Sequence, residues 1–174
     1  MAHRRVFLDA NVVIEAFRIS VWTELAAGHW LETVEEVVRE SLTGDSDKYG
    51  RVAVDPKALN AGLKAAHQVT RKEKNALIDA HRACTGMDPG EKDLFAHLFA
   101  NQPQPLSPLI VVNSADKGVV VRAKDLGWLH NLVSLEELLQ ACGVARSKMA
   151  LLDTMHHDKF LSEVRTKVLL GVIP

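Results

Sequence analysis

The chain has 174 residues, of which 47% are hydrophobic and 25% charged, and a formal net charge of -1. That length suits one ordinary domain with a real core, the composition excludes a largely disordered chain, and the balanced charge excludes a whole-surface basic field for nucleic acid or anionic membrane. Nothing approaches the ~18 consecutive apolar residues of a membrane span, so no membrane partner is expected.

Val6 to Leu8 reads as a short buried strand, and Val12, Val13, Ile14, Ala16 and Phe17 as the inward face of the helix that follows. Asp9 therefore stands at the carboxyl end of a first strand, the edge that faces the ligand crevice in open parallel sheets. The alternative is a plain helix cap, which leaves Asn11 two residues later unexplained. The same two polar residues interrupt the apolar stretch behind Arg4 and Arg5, so no secretory leader is expected. Thr33-Val34-Glu35-Glu36 has the form of a capping box opening a helix to about Leu42, with Glu36 as the capping acid and Glu40 on the edge of the Val34, Val37, Val38 stripe. Gly44-Asp45-Ser46-Asp47 ends it as a loop. Asp55-Pro56 starts another helix. Leu59, Leu63, Ala66 and Val69, then Leu77, Ala80 and Cys84, recur at helical spacing and predict one long helix or a helix pair closed by Gly86.

Asp88-Pro89-Gly90-Glu91 opens a helix that buries Leu94, Phe95, Leu98 and Phe99. Glu91 has a capping role available through Asp88, whereas Asp93 has none and is either an inward acid, a solvated one, or a partner of His97 one turn on. Pro103, Pro105 and Pro108 mark a loop before the run Leu109 to Val112, a second buried strand, and Ser114-Ala115-Asp116 follows directly. A helix from about Lys117 to Asp125 leads past Gly127 to Leu132-Val133, a third strand, with Ser134 capping Leu135 to Cys142. Strands alternating with helices predict an α/β fold whose parallel sheet is covered on both faces. Beyond Gly143, Leu152, Met155, Val164 and Val168 predict an amphipathic helix from about Ser147 to Leu170. The expected organisation is a domain over residues 1–143 and a helical extension over 144–174 that docks on it, forms a homodimer face, or offers a groove to an inhibitory partner.

Asp9 and Asp116 both follow apolar strands, and strand ends of one parallel sheet lie close together. Carboxylates gathered there would strain one another without a cation. Arg71, Lys72 and Lys74, and Lys117, Arg122 and Lys124, form two basic clusters. Both suit solvated helix faces, and Lys117, at a helix start beside Asp116, is the best candidate phosphate contact. Trp22, Trp30 and Trp128 suit core or base stacking. The adjacent His156 and His157 point to different helix faces. Cys84 and Cys142 lack CxxC spacing, which favours free thiols in a reducing, cytoplasmic compartment. No phosphate-cradling GxxxxGK[ST], dinucleotide GxGxxG, HExxH or GxSxG occurs.

Taken in order, Leu8-Asp9-Ala10-Asn11-Val12, Thr33 through Val37 to Glu40, Gly90-Glu91-Lys92-Asp93-Leu94-Phe95-Ala96 and Asn113-Ser114-Ala115-Asp116-Lys117-Gly118 resemble the four acidic motifs of PIN domains, over roughly residues 4 to 140. The resemblance implies a three-layer α/β/α fold with a parallel sheet and a Mg2+- or Mn2+-dependent nuclease site, most often acting on RNA. It implies that Asp9, Glu40, Asp93 and Asp116 carry the metal, with Glu91 as the alternative third acid and with Asn11 and Ser114 in support. Ser114 stands where threonine is commoner and keeps the hydroxyl. Small prokaryotic members are often toxins held by an antitoxin, so a protein inhibitor joins RNA among the expected partners. Two other readings stand beside this one: a PIN-like RNA- or protein-binding module with a vestigial acid site, and a DNA-directed flap or 5′ nuclease, whose longer basic insertions this chain lacks.

Overall fold

A computed structural model of the chain describes residues 4–43 and 52–173. Strand β1 (Arg5–Leu8) runs into helix α1 (Ala10–Arg18) and α2 (Trp22–Gly28), then β2 (Trp30–Val34) into α3 (Glu35–Thr43). After residue 51 come α4 (Pro56–Gly62), β3 (Ala65–His67), α5 (Arg71–Ala80) and α6 (Pro89–Asn101). Then follow β4 (Ile110–Asn113), α7 (Lys117–Asp125), β5 (Leu132–Val133), α8 (Leu135–Ala141), α9 (Arg146–Met149) and α10 (Asp158–Leu169). The five strands form one parallel sheet in the order β3-β2-β1-β4-β5, between two helical layers. The expected three-layer α/β/α architecture is the one observed.

The sheet is apolar on both faces, as a parallel sheet between two helical layers must be. Because side chains alternate along a strand, Phe7, Val34 and Val112 enter one core with α6, α7 and α10. Val6, Leu8, Leu31 and Val111 enter the other with α1, α2 and α8. Helix α3 straddles the two, with Val37 in the first core and Val38 against the second. The C-terminal segment joins both, through Leu161, Val164 and Val168 in one and Met149 and Leu152 in the other. Among the described residues no helix is long and apolar enough to cross a membrane.

Three expectations about elements are corrected. Thr33 does not cap a helix. It lies in β2, one residue short of α3, where its hydroxyl donates to Leu8 O across 2.6 Å, and Glu36 pairs with Arg39 instead. The capping box is found at Thr70 and Glu73, at the start of α5. Residues 55 to 86 are not a continuous helix or helix pair, because Lys64 N–H bonds Leu31 O across 2.8 Å and residues 65–67 then zip onto β2 as an edge strand. The C-terminal helix is broken into α9, a 3₁₀ turn at Thr154–His156 and α10. At the break, Asp153 N–H donates to Glu15 Oε1 across 2.7 Å, outside any helical ladder. Glu15 is wholly buried and also takes the Arg18 guanidinium on both oxygens at 2.6 Å, so this junction is held by a satisfied buried charge. The loop expected at Gly44-Asp45-Ser46-Asp47 lies outside the described residues.

Candidate active site at the carboxyl edge of the sheet

The register of the central strands sets the site. Leu8 lies opposite Asn113, and Asp9 N–H bonds Asn113 O across 3.1 Å, so the residues after each strand, Asp9 and Ser114, emerge side by side. The Ser114 hydroxyl donates to Asp9 Oδ2 at 3.0 Å, and its oxygen accepts the Asp116 N–H at 3.2 Å. One hydroxyl therefore joins the two strand-end acids. Both acids also cap helices. Asp9 Oδ1 accepts the Ala10 N–H at 2.6 Å at the start of α1, and Asp116 Oδ1 accepts the Gly118 N–H at the start of α7. Capping and membership of the site are thus not alternatives here. Asn11 sits half-buried in the first turn of α1.

Of the two candidate acids on α6, Glu91 lines the pocket beside Asp116 and Asp93 does not. Two residues apart on α6, they occupy different faces. Asp93 turns to α5, where Lys74 Nζ stands 2.7 Å from its Oδ1. Glu91, 8% exposed, faces the strand ends. It shares an open pocket of about 270 Å³ with Asp88, Asp116, Gly118 and Arg122, backed by Met87.

Glu40 reaches the same neighbourhood from α3. Its Oε1 accepts the Gly90 N–H at 3.1 Å, an approach possible because Gly90 has no side chain. A Cβ there would lie 2.3 Å from Glu40 Oε2 and 3.2 Å from Val37 Cγ2. A glycine in the first turn of a helix is a poor helix former, and that was the sequence signal for this close contact. Lys117, the expected phosphate contact, is exposed, and its Nζ lies 5.8 Å from the centre of the Phe160 ring on α10.

The electrostatics bind these acids into one set. Burial, with the charges of Glu40 and Asp116 adding to it, raises the Asp9 carboxyl to about 6 against the Ser114 and Ala10 hydrogen bonds. Burial likewise lifts Glu91 to about 9, with Asp9, Asp116 and Asp88 adding repulsion. Glu40 is raised by burial, partly offset by the Gly90 N–H, with Glu36 and Asp88 adding repulsion. Gly90→Ala is expected to expel the Glu40 carboxylate toward solvent and lower its pKa, since burial is the main cause of the rise. A carboxyl-carbon NMR titration reads this directly, and an unmoved Glu40 curve would count against the close contact.

Among the described residues, no three carboxylate, imidazole or thiolate groups converge as a ready-made metal cage. The pocket's lining offers carboxylate oxygen from Asp88, Glu91 and Asp116, and Asp9, buried and joined to Asp116 through Ser114, stands next to them; one oxygen of Asp116 and both of Asp9 already accept hydrogen bonds. Such a donor set suits a hard cation that keeps several waters and takes only one or two carboxylates, and does not suit zinc, which asks for a closed N/S tetrahedron. Compared with models of known protein families, with curated proteins and with solved structures, the chain has no significant match.

Proposed function

We propose that this chain is a divalent-metal-dependent ribonuclease of the PIN type, hydrolysing phosphodiester bonds in RNA at the pocket lined by Glu91 and Asp116, with Asp9 buried beside it. The observation that carries the reading is the mutual burial of uncompensated acids at the carboxyl edge of a parallel sheet, which raises Glu91 to about 9. A structural ion pair would neutralise such charge, as Lys74 does for Asp93. Strongly perturbed acids in an open pocket are the pattern of a working site.

Asp9, Glu91 and Asp116 would hold Mg2+ or Mn2+, with Glu40 beside them. The ion, when bound, neutralises charge on the scissile phosphate and lowers the pKa of a water into the neutral range. The chain's own residues do the positioning. Ser114 fixes the Asp9 carboxylate from one side while the Ala10 N–H fixes it from the other, so its orientation is set before any ligand arrives. Glu91, raised to about 9 by burial, would release its proton to solvent on taking a cation. The two unpaired thiols, Cys84 buried and Cys142 half-buried, fit a cytoplasmic setting. An inhibitory protein partner belongs to the same reading.

Asp93, which the resemblance assigns to the metal, is instead paired with Lys74, and this favours a second reading, a binding module whose acid set is incomplete. End-labelled single-stranded RNA separates the two. The wild-type chain should cleave it in Mn2+ and not in EDTA, and Asp116→Asn should stay folded, because asparagine also caps helices, while losing cleavage. Failure of the wild type to cleave RNA with Mg2+ or Mn2+ would leave the binding module.

A further inference from the structure

Helix α7 begins at one of the pocket's acids, Asp116, and carries the pocket's positive charge, Arg122, one turn beyond Gly118. Gly118 and Arg122, four residues apart, face the same way, and both line the pocket with Asp116 and Glu91. A Cβ at Gly118 would sit 2.9 Å from Asp116 Oδ1, so the surface between Asp116 and Arg122 is bare helix. Arg122 is 29% exposed and is held by Asp125 Oδ2 at 3.0 Å, a contact with its Nη1 that leaves further guanidinium donors.

The other basic residues near the site have different attachments. Lys117 lies against the Phe160 ring, and Lys74 is paired with Asp93. Among the described residues lining the pocket, Arg122 is the cation. A polyanion approaching the Asp88 and Asp116 carboxylates meets attraction on the pocket's lining at this guanidinium, whose planar fork matches two oxygens of one phosphate. We infer that Arg122 binds a backbone phosphate flanking the scissile bond, and so sets the register of the RNA across the acids. The inference rests on the nuclease reading.

The test is fluorescence anisotropy of a 5′-fluorescein single-stranded RNA across a salt series, with Ca2+ replacing the catalytic ion, alongside KM and kcat in Mn2+. Arg122→Ala should weaken binding about tenfold, the size expected for losing a hydrogen-bonded charge contact. It should also flatten the log–log salt dependence by about 0.7, the value for one phosphate on a single strand, and raise KM more than it lowers kcat. Arg122→Lys should restore the salt slope without restoring full affinity, because the charge returns and the fork does not. Loss of the exposed Asp125 pair costs little stability, so the variants stay folded. Wild-type affinity and slope in Arg122→Ala, or no RNA binding by the wild type, would overturn the inference. RNA binding that needs Arg122 without cleavage in any metal would sustain the phosphate contact but remove the nuclease reading, and with it the placement beside a scissile bond. Cleavage with an unchanged KM in Arg122→Ala would do the reverse.

Discussion

Glu91→Gln is expected to make the metal-free protein more stable at pH 8, by up to roughly 5 kcal/mol. The folded pKa of about 9 lies above the ordinary 4.5, so the native state binds more protons than the unfolded chain throughout that window. The contribution of Glu91 to stability is therefore fully present at and below about pH 4.5 and is lost as pH rises toward 9. Asp9 adds the same slope between 3.8 and about 6. A glutamine cannot ionise, so its share of the loss disappears, and melting curves of the two proteins in EDTA should coincide near pH 4.5 and separate by several degrees at pH 8. Mn2+ should raise the wild-type melting temperature more at pH 8 than at pH 5, by supplying the missing positive charge, and should do so less in the variant. Parallel melting curves across the pH range would mean that Glu91 is not buried among like charges.

Asp9→Asn is expected to abolish RNA cleavage without harming the fold. Lewis-acid stabilisation by a bound ion is worth several kcal/mol, so the single-turnover rate in Mn2+ should drop by about a thousandfold. Asparagine still accepts the Ala10 N–H as a helix cap, and it removes a charge that burial disfavours at neutral pH. The melting temperature should therefore hold or rise. An inactive but more stable variant is the sign of a residue kept for chemistry at the expense of stability. Retained cleavage would place the reaction outside this pocket.

The β1, β4 and β5 strands, the helices that follow them and the Asp9 and Asp116 positions were legible because each strand is a short apolar run ended by polar residues. The β2 and β3 strands were not. Trp30-Leu31-Glu32-Thr33-Val34 carries two polar residues that only tertiary partners satisfy. Glu32 takes Arg5 from β1 at 2.6 and 2.8 Å and His67 from β3 at 2.7 Å, and Thr33 takes the Leu8 carbonyl. A local pattern of Thr and Glu three residues apart fits Thr33 and Thr70 equally, and only pairing to β1 decides that the first is strand. Residues 65–67, Ala65-Ala66-His67, continue the helical spacing of α4, which is overridden by an available sheet edge. Asp93 was favoured over Glu91 on the ground that it had no cap to make. Lys74, which is distant in sequence and becomes its partner only in the folded chain, removed that ground.

The Ser114–Asp9 hydrogen bond spans 105 residues of sequence. At translation speeds of about 5–20 residues per second, Asp9 leaves the ribosome on the order of 5–20 s before its partner. Until β4 arrives, β1 has no neighbour on one side and the acids have no shared pocket. The growing chain therefore passes through synthesis with its pocket unassembled. The contact that completes it belongs to the slow, non-local class of folding events.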